Sequence, residues 1–118
     1  MRNIWIVLLA CLIVTAALRA ESAEEMASNC KDIPSAAIAD GKIAIPQDFN
    51  SGVCWGAFAS LQAAIRFPFY DICAPENSTR SQLIQVFLAY MRQHPEKLNE
   101  DFFLAIYGAT RQAFPCRK

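Results

Sequence analysis

The chain has 118 residues, 54% of them apolar, and its 11 lysines and arginines balance 11 aspartates and glutamates. That balance leaves no electrostatic footprint for nucleic acid or for an anionic membrane surface. Only four glycines are present, and none builds the loop that cradles a phosphate.

The first segment reads as an export signal. Met1-Arg2-Asn3 places one basic residue ahead of an apolar run from Ile4 to Leu18, broken only by Thr15. The run is shorter than the roughly 18 to 20 residues of a membrane-spanning helix, and a small-residue region from Ala20 to Ala23 follows it. Residues 1–20 are therefore the expected signal peptide, with cleavage after Ala20 or as late as Ala23. A retained anchor fits less well, because mixed charges from Arg19 to Glu25 follow at once. Lipid attachment at Leu8-Leu9-Ala10-Cys11 would cut the apolar core of the signal in half. The remaining chain, residues 21–118, is about 95 residues long, enough for one domain, with a net charge of about −1 to −2.

Four helices are expected in that domain. Ser22 with Glu25 is suited to cap a first short helix carrying Met26 and Cys30, unless the segment is frayed. The stretch from Ile33 to Phe49 holds Pro34, Gly41 and Pro46 and reads as an irregular connection. Ile43 and Ile45 alternate with Ala44, but a lone strand has no partner, so the segment is expected to be loop. A second helix runs from about Asn50 or Ser51 to Arg66, with Val53, Ala57, Phe58, Leu61 and Ile65 inward, and Pro68 ends it. Thr79 and Gln82 form a T-x-x-Q capping box for a third helix, whose Leu83, Ile84, Phe87, Leu88 and Met91 share one face. Pro95 stops that helix near Gln93. The fourth is expected to start at Asn99, with Glu100 and Asp101 in its first turn, Leu98 stapled to Phe103, and Phe102, Ile106, Ala109 and Ala113 inward. The fold class is thus all-α, a small bundle of about four helices.

Cys11 leaves with the signal, so Cys30, Cys54, Cys73 and Cys116 remain, an even number in an exported chain, which reads as two disulfides. A zinc site would bring paired ligands at short spacing, and no two of these cysteines are close in sequence. The last two helices, each about 14 residues or roughly 21 Å, are joined by a short connection and should pack antiparallel. The start of one then lies near the end of the other, so Cys73 can reach Cys116. By elimination Cys30 pairs with Cys54.

The search for chemistry is mostly negative. His94 sits at a helix end before a proline, with no nucleophile near it in sequence, and reads as a C-terminal cap or dipole partner. Glu100 and Asp101 fit a helix first turn better than acid-base catalysis. Oxidised cysteines are poor nucleophiles. Asn77-Ser78-Thr79 matches a glycosylation sequon, which has meaning only in a eukaryotic secretory pathway. A small hydrolase therefore lacks its nucleophile and base, and no metal or other cofactor is expected. Phe67-Pro68-Phe69-Tyr70 concentrates three aromatics in a link between helices, either to cover the end of the bundle or to supply partner contacts through Phe67, Phe69 and Tyr70.

Cys54 with Gly56, Cys73-x-Pro75, His94-Pro95-Glu96 and the terminal Phe114-Pro115-Cys116 together resemble the Rap/Tai family of immunity proteins, over roughly residues 30–116. Ala57 stands where that family usually has an aromatic, and Ser60 where a second glycine would fall. The resemblance implies a periplasmic helical protein, similar in architecture to HdeA-like acid-stress chaperones, that forms a homodimer. It also implies a protein partner, a peptidoglycan amidase toxin delivered by type VI secretion, neutralised by occlusion. The apolar content also points to a dimer, because the eleven aromatics from Trp55 to Phe114 exceed what one small core hides. The alternative function is that of an acid-stress periplasmic chaperone binding unfolded clients.

Overall fold

The computed structural model describes residues 21–39, 42–67 and 71–117. The expected signal peptide lies outside the described residues.

Helix α1 spans Ala23–Cys30 and is closed at its start by a reciprocal capping box. The Ser22 hydroxyl accepts from the Glu25 N–H at 3.2 Å, and the Glu25 carboxylate accepts from the Ser22 N–H at 2.9 Å. Two of the helix's otherwise orphan donors are thereby satisfied. Ala23, Met26 and Cys30 fall on one side and are buried.

The segment that follows departs from the expected loop. Ala37–Ala39 (β1) and Lys42–Ala44 (β2) pair antiparallel, with Ile38 opposite Ile43. Sequence reading missed the partner because each strand is only three residues long and Ile38 points into solvent, so the segment lacks the alternation of a half-buried strand. This two-stranded ribbon decorates an all-α domain.

Helix α2, Phe49–Ala64, begins at Asp48, whose carboxylate accepts from both the N–H and the hydroxyl of Ser51 at 2.9 Å. The cap thus lies two residues ahead of Asn50, the earlier of the two expected starts. Helix α3, Arg80–Gln93, carries the Thr79–Gln82 capping box and buries Leu83, Ile84, Phe87, Tyr90 and Met91. Leu88 packs only partly against the core. After His94 the chain makes a single 3-10 turn, Pro95–Lys97. Helix α4 then spans Phe102–Ala113 and is capped by Asp101, which accepts from the Phe103 N–H at 2.9 Å. This corrects the expected cap at Asn99: the 3-10 turn consumes the residues after Pro95 and moves the helix start two positions on. In consequence Phe103 is not stapled to Leu98 but lies exposed, and Ala113 is exposed while Ala105 and Thr110 take the buried stripe.

The centre of the bundle is an aromatic triangle with one ring from each of three helices. Phe58 of α2, Phe87 of α3 and Phe102 of α4 lie 5.6 to 6.0 Å apart between centroids, in tilted or edge-on arrangements, the geometries favoured by the ring quadrupole. Helix α1 covers this cluster with Met26 and Cys30. The Cys30–Cys54 disulfide is fully buried and ties α1 to α2, and Cys73–Cys116 closes the opposite end by joining the residues before α3 to those after α4. Beside that second bridge Ile72 pairs with Pro115, and the Cys73 N–H donates to the Phe114 carbonyl at 2.9 Å.

Candidate functional site

The aromatic link leaves α2 in a defined way. Phe67 is 58% exposed and, with Gln62 and Arg66, borders a shallow depression on the α2 surface. Phe69 and Tyr70 lie outside the described residues. The chain returns at Asp71, a non-glycine residue with φ 56°, a left-handed conformation that aspartate tolerates better than most side chains. Asp71 approaches Arg111 to 3.8 Å, both exposed, a pairing of little energetic weight. The described residues before it follow directly from α2, and those after it are held by the Ile72–Pro115 pairing and the Cys73–Cys116 disulfide.

Adjoining it is a polar trough. Gln62 in the last turn of α2 and Arg66 just beyond its end line two further depressions that they share with Glu76 and Ser78. The Gln62 side chain donates to the Ser78 carbonyl at 3.0 Å, fixing α2 to the segment before α3. At the far end the Arg80 guanidinium lies 4.4 Å over the Trp55 ring, a cation–π contact that holds a cation beside an aromatic face.

The third surface is apolar. Between α2 and α4 runs a groove of about 280 Å³ lined chiefly by Leu61, Ile65, Phe102, Phe103, Ile106 and Tyr107. At its rim Phe103 is 71% exposed, and next to it Leu104 is 59% exposed. Sequence reading missed this face, although a signal was present. Phe102-Phe103-Leu104 are consecutive, and residues about 100° apart on a helix cannot all point into one core stripe.

The polar residues weighed for catalysis serve the helices. His94 ends α3, its ring 4.4 Å from that of Tyr90 and its Nδ1 3.0 Å from Glu96. The hydrogen bond with His94 holds the Glu96 carboxyl below its ordinary range. Lys97 is shifted up, chiefly by a hydrogen bond with Tyr90. Asp101 is the α4 cap, and Glu100 lends its backbone carbonyl to Ala23. No group of three histidine, cysteine or acidic residues among the described ones is placed to hold a metal ion.

Among the described residues, four short helices locked by two disulfides, with an exposed apolar groove and a polar trough on the outside, define a small cross-linked binding module. The family model for Rap1a immunity proteins matches residues 22–116, and the chain belongs to that family. No match was found among curated proteins or among solved structures. As an immunity protein it is non-enzymatic and acts by binding a cognate toxin. The two disulfides are consistent with an extracytoplasmic location.

Proposed function

We propose that the protein is exported to the periplasm by the signal at residues 1–20 and there binds and occludes a peptidoglycan amidase delivered by type VI secretion. The observation that carries this reading is a non-enzymatic immunity fold whose surface is pre-ordered by two disulfides. Pre-ordering lowers the entropy cost of docking, so a small rigid protein can cover an enzyme cleft tightly.

Two surfaces divide the work. Homodimer interfaces are more apolar than interfaces whose partners also live alone in water. The α2–α4 groove with Phe103 and Leu104 is therefore assigned to a two-fold contact with a second copy. The 67–70 link, with Phe67 exposed beside Arg66, and the adjoining trough that ends at the Trp55–Arg80 stack are assigned to the toxin. Its mixture of aromatic and arginine side chains is the composition enriched where interfaces have their energetic centres.

The test is inhibition of amidase-driven peptidoglycan hydrolysis by the mature protein, expected to be complete near one inhibitor protomer per enzyme. Combined replacement of Phe67, Phe69 and Tyr70 by alanine should weaken inhibition while leaving the helical signal intact. Loss of the fold in that variant would return the link to the core. If the wild type protects no amidase-challenged cells but suppresses aggregation of unrelated proteins in acid, the acid-stress chaperone function takes its place.

A further inference from the structure

We propose that the Cys73–Cys116 disulfide is an operable bridge: in the folded protein a dithiol opens it while Cys30–Cys54 stays closed, and its opening frees the chain at the end of the aromatic link. The two bridges differ in access. Cys30 and Cys54 have no exposed surface and lie in the core with Met26 and Phe58. Helix α1 is also fastened over them from its start. The Phe102 N–H donates to the Glu21 carbonyl at 3.0 Å, the Ala23 N–H to the Glu100 carbonyl at 2.9 Å and the Glu24 N–H to the Leu98 carbonyl at 3.0 Å, while Ser22 pairs with Asp101. A thiolate reaches that bridge only after α1 lifts from α2, an opening that breaks this ladder and wets the core. Cys73, in contrast, is exposed and Cys116 is half-buried, among exposed Asp71, Pro75, Pro115 and Arg117. No helix has to move before a thiolate reaches Cys73.

One thiolate of the dithiol attacks the Cys73 Sγ. A mixed disulfide forms, the Cys73–Cys116 bond breaks, and its electron pair leaves on the Cys116 Sγ, where the charge of the adjacent Arg117 favours the thiolate. The second thiol of the dithiol loses its proton and attacks the first sulfur of the same molecule, which releases Cys73 as a thiolate. Two electrons pass to the protein, the dithiol becomes an internal disulfide, and its two protons go to the two cysteines. Among the described residues, the hold on residues 71–73 then rests on the Ile72–Pro115 pairing, the Cys73 N–H bond to the Phe114 carbonyl and the exposed Asp71–Arg111 pair. The link assigned above to the toxin thereby loses a covalent anchor at its far end. Weaker inhibition by the reduced protein is the consequence, and this last step rests on that assignment.

The experiment treats the folded protein with graded dithiothreitol, quenches with iodoacetamide, and reads by peptide mass which cysteines carry the label. Cys73 and Cys116 should be labelled at least about tenfold faster than Cys30 and Cys54, because the inner pair waits for the core to open. Simultaneous labelling, or labelling of the inner pair first, overturns the proposal. At the dose that opens only the outer bridge, the helical signal should persist and the Cys73 amide should exchange with solvent at least about tenfold faster. An unchanged exchange rate overturns release of the segment. In the same sample amidase inhibition should weaken about tenfold and return on reoxidation, since a loosened segment must be ordered again on binding. Equal inhibition by both forms overturns the switch, whereas an oxidised protein that inhibits no amidase overturns the toxin reading and leaves labelling and exchange to decide the bridge. The double variant Cys73→Ser, Cys116→Ser should match the reduced protein and respond no further to dithiothreitol. A further loss of inhibition in that variant would place the sensitive bridge at Cys30–Cys54.

Discussion

Helix α4 presents two regions in adjacent residues. On its inner side Phe102 completes the triangle with Phe58 and Phe87, and Ala105, Ile106 and Ala109 lie against α3 and α1 with almost no exposed surface. On its outer side Phe103 and Leu104, equally apolar, stand in water beside a groove. The core half is closed on itself, and even its buried polar groups are matched, as where the Thr110 hydroxyl donates to the Ile106 carbonyl at 2.7 Å. The groove half is unmatched. Apolar character alone therefore does not tell where a residue contributes; the closed half sets stability and the open half is free to set association.

The sharpest way to break this contrast is Phe87→Ala, which should cost about 3–5 kcal/mol in urea unfolding because a fully enclosed ring leaves a cavity. A cost under about 1 kcal/mol would mean that the triangle is not the centre of the core. Replacing both Cys73 and Cys116 by alanine opens the longer loop, with a separation of 43 residues, and should cost about 4 kcal/mol by loop entropy. The corresponding loop-entropy figure for Cys30 and Cys54, 24 residues apart, is about 3.5 kcal/mol, to which the loss of buried packing adds. Peptide mapping without reduction checks both linkages.

Ser22→Ala removes one arm of the α1 capping box and should cost about 1 kcal/mol, read as a lower denaturation midpoint. A pH-graded effect is expected at Asp48. Hydrogen bonds from the Ser51 backbone and side chain lower its pKa below the ordinary 3.8. Its contribution to stability is then fully present above 3.8 and lost as pH falls through the lowered folded value. The difference in urea midpoint between wild type and Asp48→Asn should therefore shrink on acidification below 3.8. The smallest change in stability belongs to the open half: Phe103→Ser should alter unfolding by no more than about 0.5 kcal/mol, while light scattering reports a shift from dimer to monomer. A dimer untouched by Phe103→Ser would place the two-fold contact elsewhere.

What could be read in the sequence follows from how local each determinant is. The Ser22–Glu25 and Thr79–Gln82 boxes need only residues three apart, so both helix starts were legible. The motifs around Cys54, Cys73, His94 and Cys116 carried the family, which the match over residues 22–116 shows. The start of α4 was not legible, because Asn99 and Asp101 are both competent caps and the choice depends on a 3-10 turn that Pro95 initiates. The β1–β2 ribbon was hidden by its brevity. The groove was only half visible: the Phe102-Phe103-Leu104 run shows that something must face outward, but that it faces Leu61 and Ile65 across a trough is set by how α2 and α4 are held apart.

The pairing of residues 21–24 with residues 98–102 also orders events in time. A chain is made from its amino end, so residues 21–24 must wait for partners that are made much later. Cys30 and Cys54 can join while the second half is still absent, but Cys73 must wait for Cys116. Until the α3–α4 connection arrives, α1 is held by its capping box and by one sulfur bridge. The domain thus closes like a clasp, and a nascent chain halted before residue 98 would lack the half that fastens it.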